Sequence, residues 1–173
     1  MDKNKKELPI DVIDRWLKDS DCDVRTAAMN ACQGRDVPID VIDRWLKDSN
    51  CNVRTAAMNA CKANKITVPV IRTIDPPNLV YKKCIGGIIV VASIPKDAQI
   101  RGSFNEKCRA SKAEIKKIIG DLHGEKVGIS KYDMKTLYYA GDKVEIENFD
   151  YSDDECSSGF HFFCTIKEAI DYE

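Results

Sequence analysis

Apolar residues in the first third of the chain recur at helical spacing, and the whole pattern then repeats. Ile10, Ile13, Trp16 and Leu17 form one apolar side. Val24, Ala27, Ala28, Ala31 and Cys32 follow at i, i+3, i+4, i+7 and i+8, the stripe of an amphipathic helix. The link Lys18–Ser20 is too short for anything but an antiparallel pair. Pro9 and Pro38 suit the first helical position, Asp21 and Asn50 suit N-caps, and Asp23 puts a negative charge in the first turn. Residues 8–36 reappear as 37–65 with differences at only seven of 29 positions, and a third copy starts at Ile66 with Val68, Val70, Ile71 and Ile74 in register before Pro76-Pro77. A period of this length predicts units that cover one another's apolar faces. The expectation is a short α-solenoid over residues 1–77, with Ile66–Ile74 as its third helix, packed on the second repeat and on the domain that follows.

The run Asp19–Cys32 and its copy resemble the second helix of a HEAT-like repeat, in which an Asp-rich turn leads into Val-Arg and then alanines. The matching residues are Asp19, Asp21, Val24, Arg25, Ala27, Ala28 and Ala31, then Asp48, Asn50, Val53, Arg54, Ala56, Ala57 and Ala60. Cys22 and Cys51 stand where that family commonly has proline, and Cys32 and Cys61 where it has leucine. On this register Thr26, Met29, Asn30 and Gln33, with Thr55, Met58, Asn59 and Lys62, point away from the stripe and Arg25 and Arg54 sit at its edge; Arg25, Thr26, Met29, Asn30, Arg54, Thr55, Met58 and Asn59 form the candidate binding face for a protein or peptide. Two readings of the arginines stand: ion pairs with Asp19 and Asp48 that tie successive units together, or a row offered to an acidic partner. Trp16 and Trp45 read as core plugs or as ligand platforms. The outward residues are nearly the same in both units, which suits recognition better than a specialised catalytic centre.

Beyond Pro77 the pattern changes. Leu79–Lys83 and Ile88–Ile94 read as a hairpin around Ile85-Gly86-Gly87. Ser111 and Glu114 have capping-box spacing before Ile115, Ile118 and Ile119, which predicts a helix ending at Gly120. Lys126–Ile129, Leu137–Ala140, Lys143–Phe149 and Phe160–Cys164 read as strands, the second and third of these joined at Gly141-Asp142. Thr165 and Glu168 open a terminal helix. The fold class expected is therefore an α-solenoid followed, over residues 78–173, by an α+β domain with a mainly antiparallel sheet and two helices. Val80-Tyr81-Lys82-Lys83-Cys84, Ile94-Pro95, Lys107–Ser111, Tyr139–Gly141 and Cys156–Phe163 resemble an uncharacterised domain that ends repeat arrays, including bacterial and viral pentapeptide-repeat proteins. The resemblance implies a module used beside repeats and no known activity.

Charge narrows the functions. The net charge is -1, and division at Pro76 gives 13 basic and 12 acidic residues before it, 14 and 16 after it. Neither half is a polyelectrolyte, so nucleic acid is not the expected partner. Residues 96–131 hold nine basic and five acidic side chains, whereas 142–173 hold two and ten. These stretches either face each other or leave a basic patch at Arg101, Lys107, Arg109 and Lys112 for phosphate or nucleic acid. The start, MDKNKKELP, lacks the apolar core of a secretory signal, and no apolar run spans a membrane. Eight cysteines without a signal read as reduced thiols in the cytoplasm. Cys156 and His161, with Cys108 and Arg109, are the candidate catalytic group, a thiol beside a base. Asp153, Asp154 and Glu155 argue against a thiolate there, and His161 before Phe162-Phe163 suits a sheet position; a metal held with Cys108 or Cys164 is a further reading. Both histidines lie outside the repeats, and no cofactor or metal is called for. The leading expectation is an interaction or scaffold protein; the alternative makes the second domain an enzyme on phosphate-bearing or peptide substrates.

Overall fold

The computed structural model describes residues 9–68, 70–152 and 154–173. Residues 1–8, read above for a signal, Pro69, and Asp153 beside the cysteine cluster lie outside the described residues, as does the side chain of Ile10. The chain divides into two compact units, Met1–Pro69 with Asp150–Ser152, and Val70–Phe149 with Asp153–Glu173.

The first unit is two helical hairpins. Helices α1 (Ile10–Trp16) and α2 (Cys22–Asn30) form one, α3 (Ile39–Leu46) and α4 (Cys51–Ala63) the other, and α2 packs on α4. Pro9 and Pro38 sit at the N-cap, one place earlier than expected, with φ of -58° and -57° already helical. Asp21 and Asn50 cap α2 and α4 by accepting from the backbone N–H of Asp23 and Asn52. Ile13, Leu17, Ala28, Met29, Ile42, Trp45, Leu46, Val53 and Ala57 make up much of the core. Asn64 clamps the two hairpin ends, donating to the carbonyls of Cys32 and Arg35 at 3.2 and 2.8 Å.

The solenoid expectation is overturned. Among the described residues, four short helices are few for an array, and those of the third copy form no helix: Arg72 bridges Ile100 in parallel, with Ile100 N–H on the Ile71 carbonyl at 2.7 Å. The sequence reason is plain in hindsight, since Thr67, Val68, Val70, Ile71, Thr73 and Ile74 are β-branched around a proline, a composition that favours extended chain. Without a third hairpin the second has no following repeat to bury it.

Another segment stands in that place. Arg25 of the first hairpin grips Asp48 of the second with two hydrogen bonds, Nε at 2.9 Å and Nη2 at 3.0 Å, and also donates to the Asp19 carbonyl. Asp48 meanwhile accepts from the Asn50 N–H at 2.8 Å, closing an Asp-x-Asn turn. One period on from Asp48 lies Pro77, so Arg54 has no repeat partner. Instead Arg54 Nε donates to Asp150 at 2.7 Å, and Asp150 accepts from the Ser152 N–H at 2.9 Å in the same turn geometry. Asp150-Tyr151-Ser152 thus copies Asp48-Ser49-Asn50, and the Tyr151 hydroxyl reaches Met58 Sδ at 3.2 Å.

The second unit is built mainly of antiparallel strands. β1 (Val80–Lys83), β2 (Ile89–Ser93), β5 (Lys112–Ile119) and β8 (Lys143–Glu145) form one sheet in the order β1-β2-β5-β8. β3 (Ile100–Arg101), β4 (Cys108–Ala110) and β9 (Phe160–Phe162) form a second, and β6 (Gly128–Ile129) pairs with β7 (Leu137–Tyr138). A bridge from Tyr81 to Phe163 joins the first two. Helix α5 (Ile166–Asp171) opens on the Thr165–Glu168 capping box. Among the described residues this unit has one α-helix rather than two, because Lys112–Ile119, within the expected helix, is strand. Val91 pairs with Lys117 but Ala92 with Ile115, so Lys116 is an extra residue. That bulge turns a two-residue spacing into three and gives buried Ile115 and Ile118 a false helical period. The expected 137–149 hairpin also separates: β7 pairs with β6, and β8 with β5.

Arg54 is 2 % exposed, so removing its carboxylate strands a buried charge. Asp150→Ala is expected to cost about 3–5 kcal/mol in urea unfolding, and Arg54→Met with Asp150→Leu distinctly less than the sum of the single changes.

Candidate functional site

The site grows from a lysine on the wrong side of a strand. In β1, Val80 and Lys82 face inward while Tyr81 and Lys83 are half-buried, and Cys84 continues the buried phase. Lys82 is 8 % exposed. Its ammonium lies 5.7 Å from the centre of the Tyr138 ring and 5.6 Å from that of Phe160, and among the described residues it makes no ion pair. Burial holds its pKa below the usual lysine range and the charge of Lys107 adds to this, while Cys84 and Asp133 pull the other way.

His161 on β9 opens onto the same space. Its Nε2 is buried with no hydrogen-bond partner among the described residues. Burial, then the charges of Lys82, Lys107 and Arg109, push its pKa down to about 4 against the pull of the Ser157 backbone, so the ring is neutral near pH 7.

Two neighbouring cavities meet here, sharing Lys82, Tyr132, Cys156 and His161 as walls. The smaller, of 230 Å³, is ringed by Lys82, Lys83, Lys107 and Lys131, with Glu173 its carboxylate. Lys83 donates to the carbonyls of Ile170 and Tyr172 at 2.8 and 2.6 Å. Lys107 donates to the Tyr172 hydroxyl at 3.3 Å and contacts Cys156 Sγ at 3.5 Å. Burial opposes the Lys107 charge, but these two neighbours outweigh it and raise its pKa. The larger cavity, of 780 Å³, carries Asp133, Glu145, Glu147 and Asp154 on its walls. The pair of cavities is cationic at one end and acidic at the other.

The sequence candidates separate. Cys156 and His161 do line one space, with Lys107 rather than an arginine beside the sulfur. Cys108 instead lies in the core, its thiol donating to the Ser103 carbonyl at 3.2 Å; burial and the nearby Cys164 push its pKa up to about 12, so it stays an inert thiol. Arg109 is buried over the Phe149 ring and donates to the Ser158 carbonyl at 2.9 Å. Together with Arg101 and Lys107 it borders a separate cavity of 260 Å³. Lys112 leaves the expected basic patch to pair with Asp97 at 2.7 Å and Glu145 at 3.6 Å.

The repeat face also reads differently. Met29 is fully buried and Ala27 exposed, so the stripe on α2 is rotated from the expected register. Arg25 and Arg54 are spent on Asp48 and Asp150, which removes the reading of arginines offered to an outside partner; nor does Arg25 reach its expected Asp19 carboxylate, taking that residue's carbonyl instead. Thr26 is half-buried and Met58 holds Tyr151, whereas Asn30, Thr55 and Asn59 remain exposed. Trp45 is core and Trp16 half-buried. Asp21, Cys22 and Asp23 bring three ligand-type atoms within 4.8 Å of one another. The second copy performs the same cap with Asn50 and Asn52, so the carboxylate charge is not needed for it.

Sequence reasoning passed over Lys82, Lys83 and Lys131. The signal for Lys82 was present: Val80, Lys82 and Cys84 share one strand phase, and two of the three are apolar.

The model of a family of unknown function, DUF5758, matches residues 76–169, just over half of the 173-residue chain. The chain belongs to that family. Comparison with curated proteins and with solved structures gives no match. Among the described residues no helix is long and apolar enough to cross a membrane.

The His161 pKa fixes a sign for pH. Unfolded histidine titrates near 6.5 and the native ring near 4, so between these values the unfolded state binds more protons and stability falls as pH falls. Melting at pH 4 to 7 should show this loss, at most about 1.4 kcal/mol per pH unit, and His161→Gln should flatten that part of the profile.

Proposed function

We propose that the second unit binds a small anionic molecule in the lysine-ringed cavity. The observation that carries the reading is the convergence of Lys82, Lys83, Lys107 and Lys131 on 230 Å³ of space with no ion pair to any of them among the described residues. Lys83, Lys107 and Lys131, with the Lys82 amine beside them and one carboxylate among them, attract an anion and hold it by charge-assisted hydrogen bonds. The Lys82 amine adds a directional partner at the floor, beside the buried Nε2 of His161, which has no hydrogen-bond partner among the described residues. Because the adjoining cavity carries four carboxylates, the ligand that fits best is anionic at one end and rich in hydrogen-bond donors at the other. The eight free thiols favour a reducing compartment, and we place the protein in the cytoplasm.

Calorimetry with inorganic phosphate tests the charge end. Phosphate should bind, raise the melting temperature, and weaken with added salt; at a hundredfold excess over Kd the stabilisation is about 2.7 kcal/mol. Lys107→Met with Lys131→Met should abolish binding while the protein still melts cooperatively. Equal binding by that variant would overturn the assignment.

A second reading concerns the first unit, and one observation favours it. Ile13, Leu17, Val37, Val41 and Trp45 line a largely apolar groove of 330 Å³ between the hairpins, edged by Asp11, Asp14 and Asp36 with Arg35 among them. It suits a peptide that inserts an apolar side chain next to a basic residue, and so keeps the protein-binding role expected of the repeats. A fluorescent Leu-Lys-containing peptide library should yield ligands whose binding is lost on Val41→Asp; selection of acidic peptides instead would refute the groove as the site.

A further inference from the structure

The lysine cavity has a floor as well as a rim, and the floor has its own chemistry. We propose that the Lys82 amine forms an imine with an aldehyde or ketone group of the anionic ligand, a covalent step that rests on the anion-binding reading. Three features of the geometry carry it. First, Lys82 is the one lysine of the four that is buried, and it borders both cavities, so a ligand whose charge sits among Lys83, Lys107 and Lys131 extends its body past the Lys82 nitrogen. Second, no carboxylate pairs with it among the described residues; burial and Lys107 oppose its charge, while Cys84, Asp133 and the ring faces of Tyr138 and Phe160 favour the ammonium. The buried setting, with Lys107 close by, favours the neutral amine, which is the nucleophile; each unit by which the pKa falls raises the neutral fraction about tenfold near pH 7. Third, His161 on the same walls is neutral and its Nε2 is uncommitted, so a proton acceptor is in place.

The step balances without any further reactant. The nitrogen lone pair of Lys82 forms the N–C bond, and the C=O π pair moves to oxygen, which takes up a proton. The nitrogen gives a proton to His161 Nε2. Its lone pair then forms C=N as the hydroxyl leaves, and the imidazolium returns its proton so that water departs. The proton that oxygen takes up comes from solvent, and the iminium nitrogen returns its remaining proton to solvent, so amine and carbonyl become imine and water with no change of oxidation state.

The test uses the full chain with glyoxylate and sodium cyanoborohydride at neutral pH, followed by peptide mass mapping. Lys82 should be carboxymethylated faster than exposed Lys18 or Lys62, as a lowered pKa requires. Inorganic phosphate should slow Lys82 and leave the surface lysines unaffected. Lys82→Arg should lose this adduct, and His161→Gln should slow the labelling. Labelling of Lys82 no faster than Lys18 in wild-type protein that does bind phosphate overturns the imine and leaves the anion site standing. Failure of both phosphate binding and labelling removes both. Because the rate comparison is made within the wild-type chain, it holds whether or not Lys82→Arg folds.

Discussion

A strand offers two faces, and in β1 that two-residue period commits a lysine to the inner one. Val80 and Cys84 are both in the core of the second unit, and Lys82 lies between them in the same phase. Moving it outward would need a one-residue slip, which would turn Val80 out and break the pairing of β1 with β2. The fold accommodates the amine by placing aromatic faces of Tyr138 and Phe160 beside it and leaving open volume next to it. The displaced lysine pKa, part of the displaced histidine pKa and the cationic end of the cavities follow from that one placement.

Charge is handled differently in the helical unit. There the equivalent arginines Arg25 and Arg54 are each closed off by an aspartate that belongs to a later turn, Arg25 on both oxygens of Asp48 and Arg54 on one oxygen of Asp150. In the first pair the carboxylate comes from the next repeat. In the second it comes from Asp150, 96 residues away in sequence, within a three-residue turn that reproduces the hydrogen bond of Asp48 to Asn50. A repeated sequence therefore does not need a third repeat to end: it needs one carboxylate in the correct turn. The arginines that looked available for a partner are structural for the same reason.

The repeats, the helices of the first unit, their aspartate and asparagine caps and the Thr165–Glu168 box were legible along the chain, because each depends on residues within about one helical turn to one repeat of each other. The register of α2 was not, since alanine is apolar enough for either face and only the packing of α2 on α4 selects Met29 for the core and leaves Ala27 outside. The strand at Lys112–Ile119 was hidden by its bulge, which is a property of how β5 meets β2 and has no mark in the spacing itself.

The sequence by itself determined the residue types that the site uses and the strand phase that buries Lys82. Only tertiary structure decided that Lys82, Lys107, Lys131 and His161 share one space, and that Cys108 does not join Cys156. These residues come from β1, β9 and the loops at Lys107 and Lys131, and the antiparallel pairing of β4 with β9 and the Tyr81–Phe163 bridge bring them together. Local pattern carries the period of an element, whereas which elements meet is set by the burial of the whole core, a long-range quantity that no short window of sequence contains.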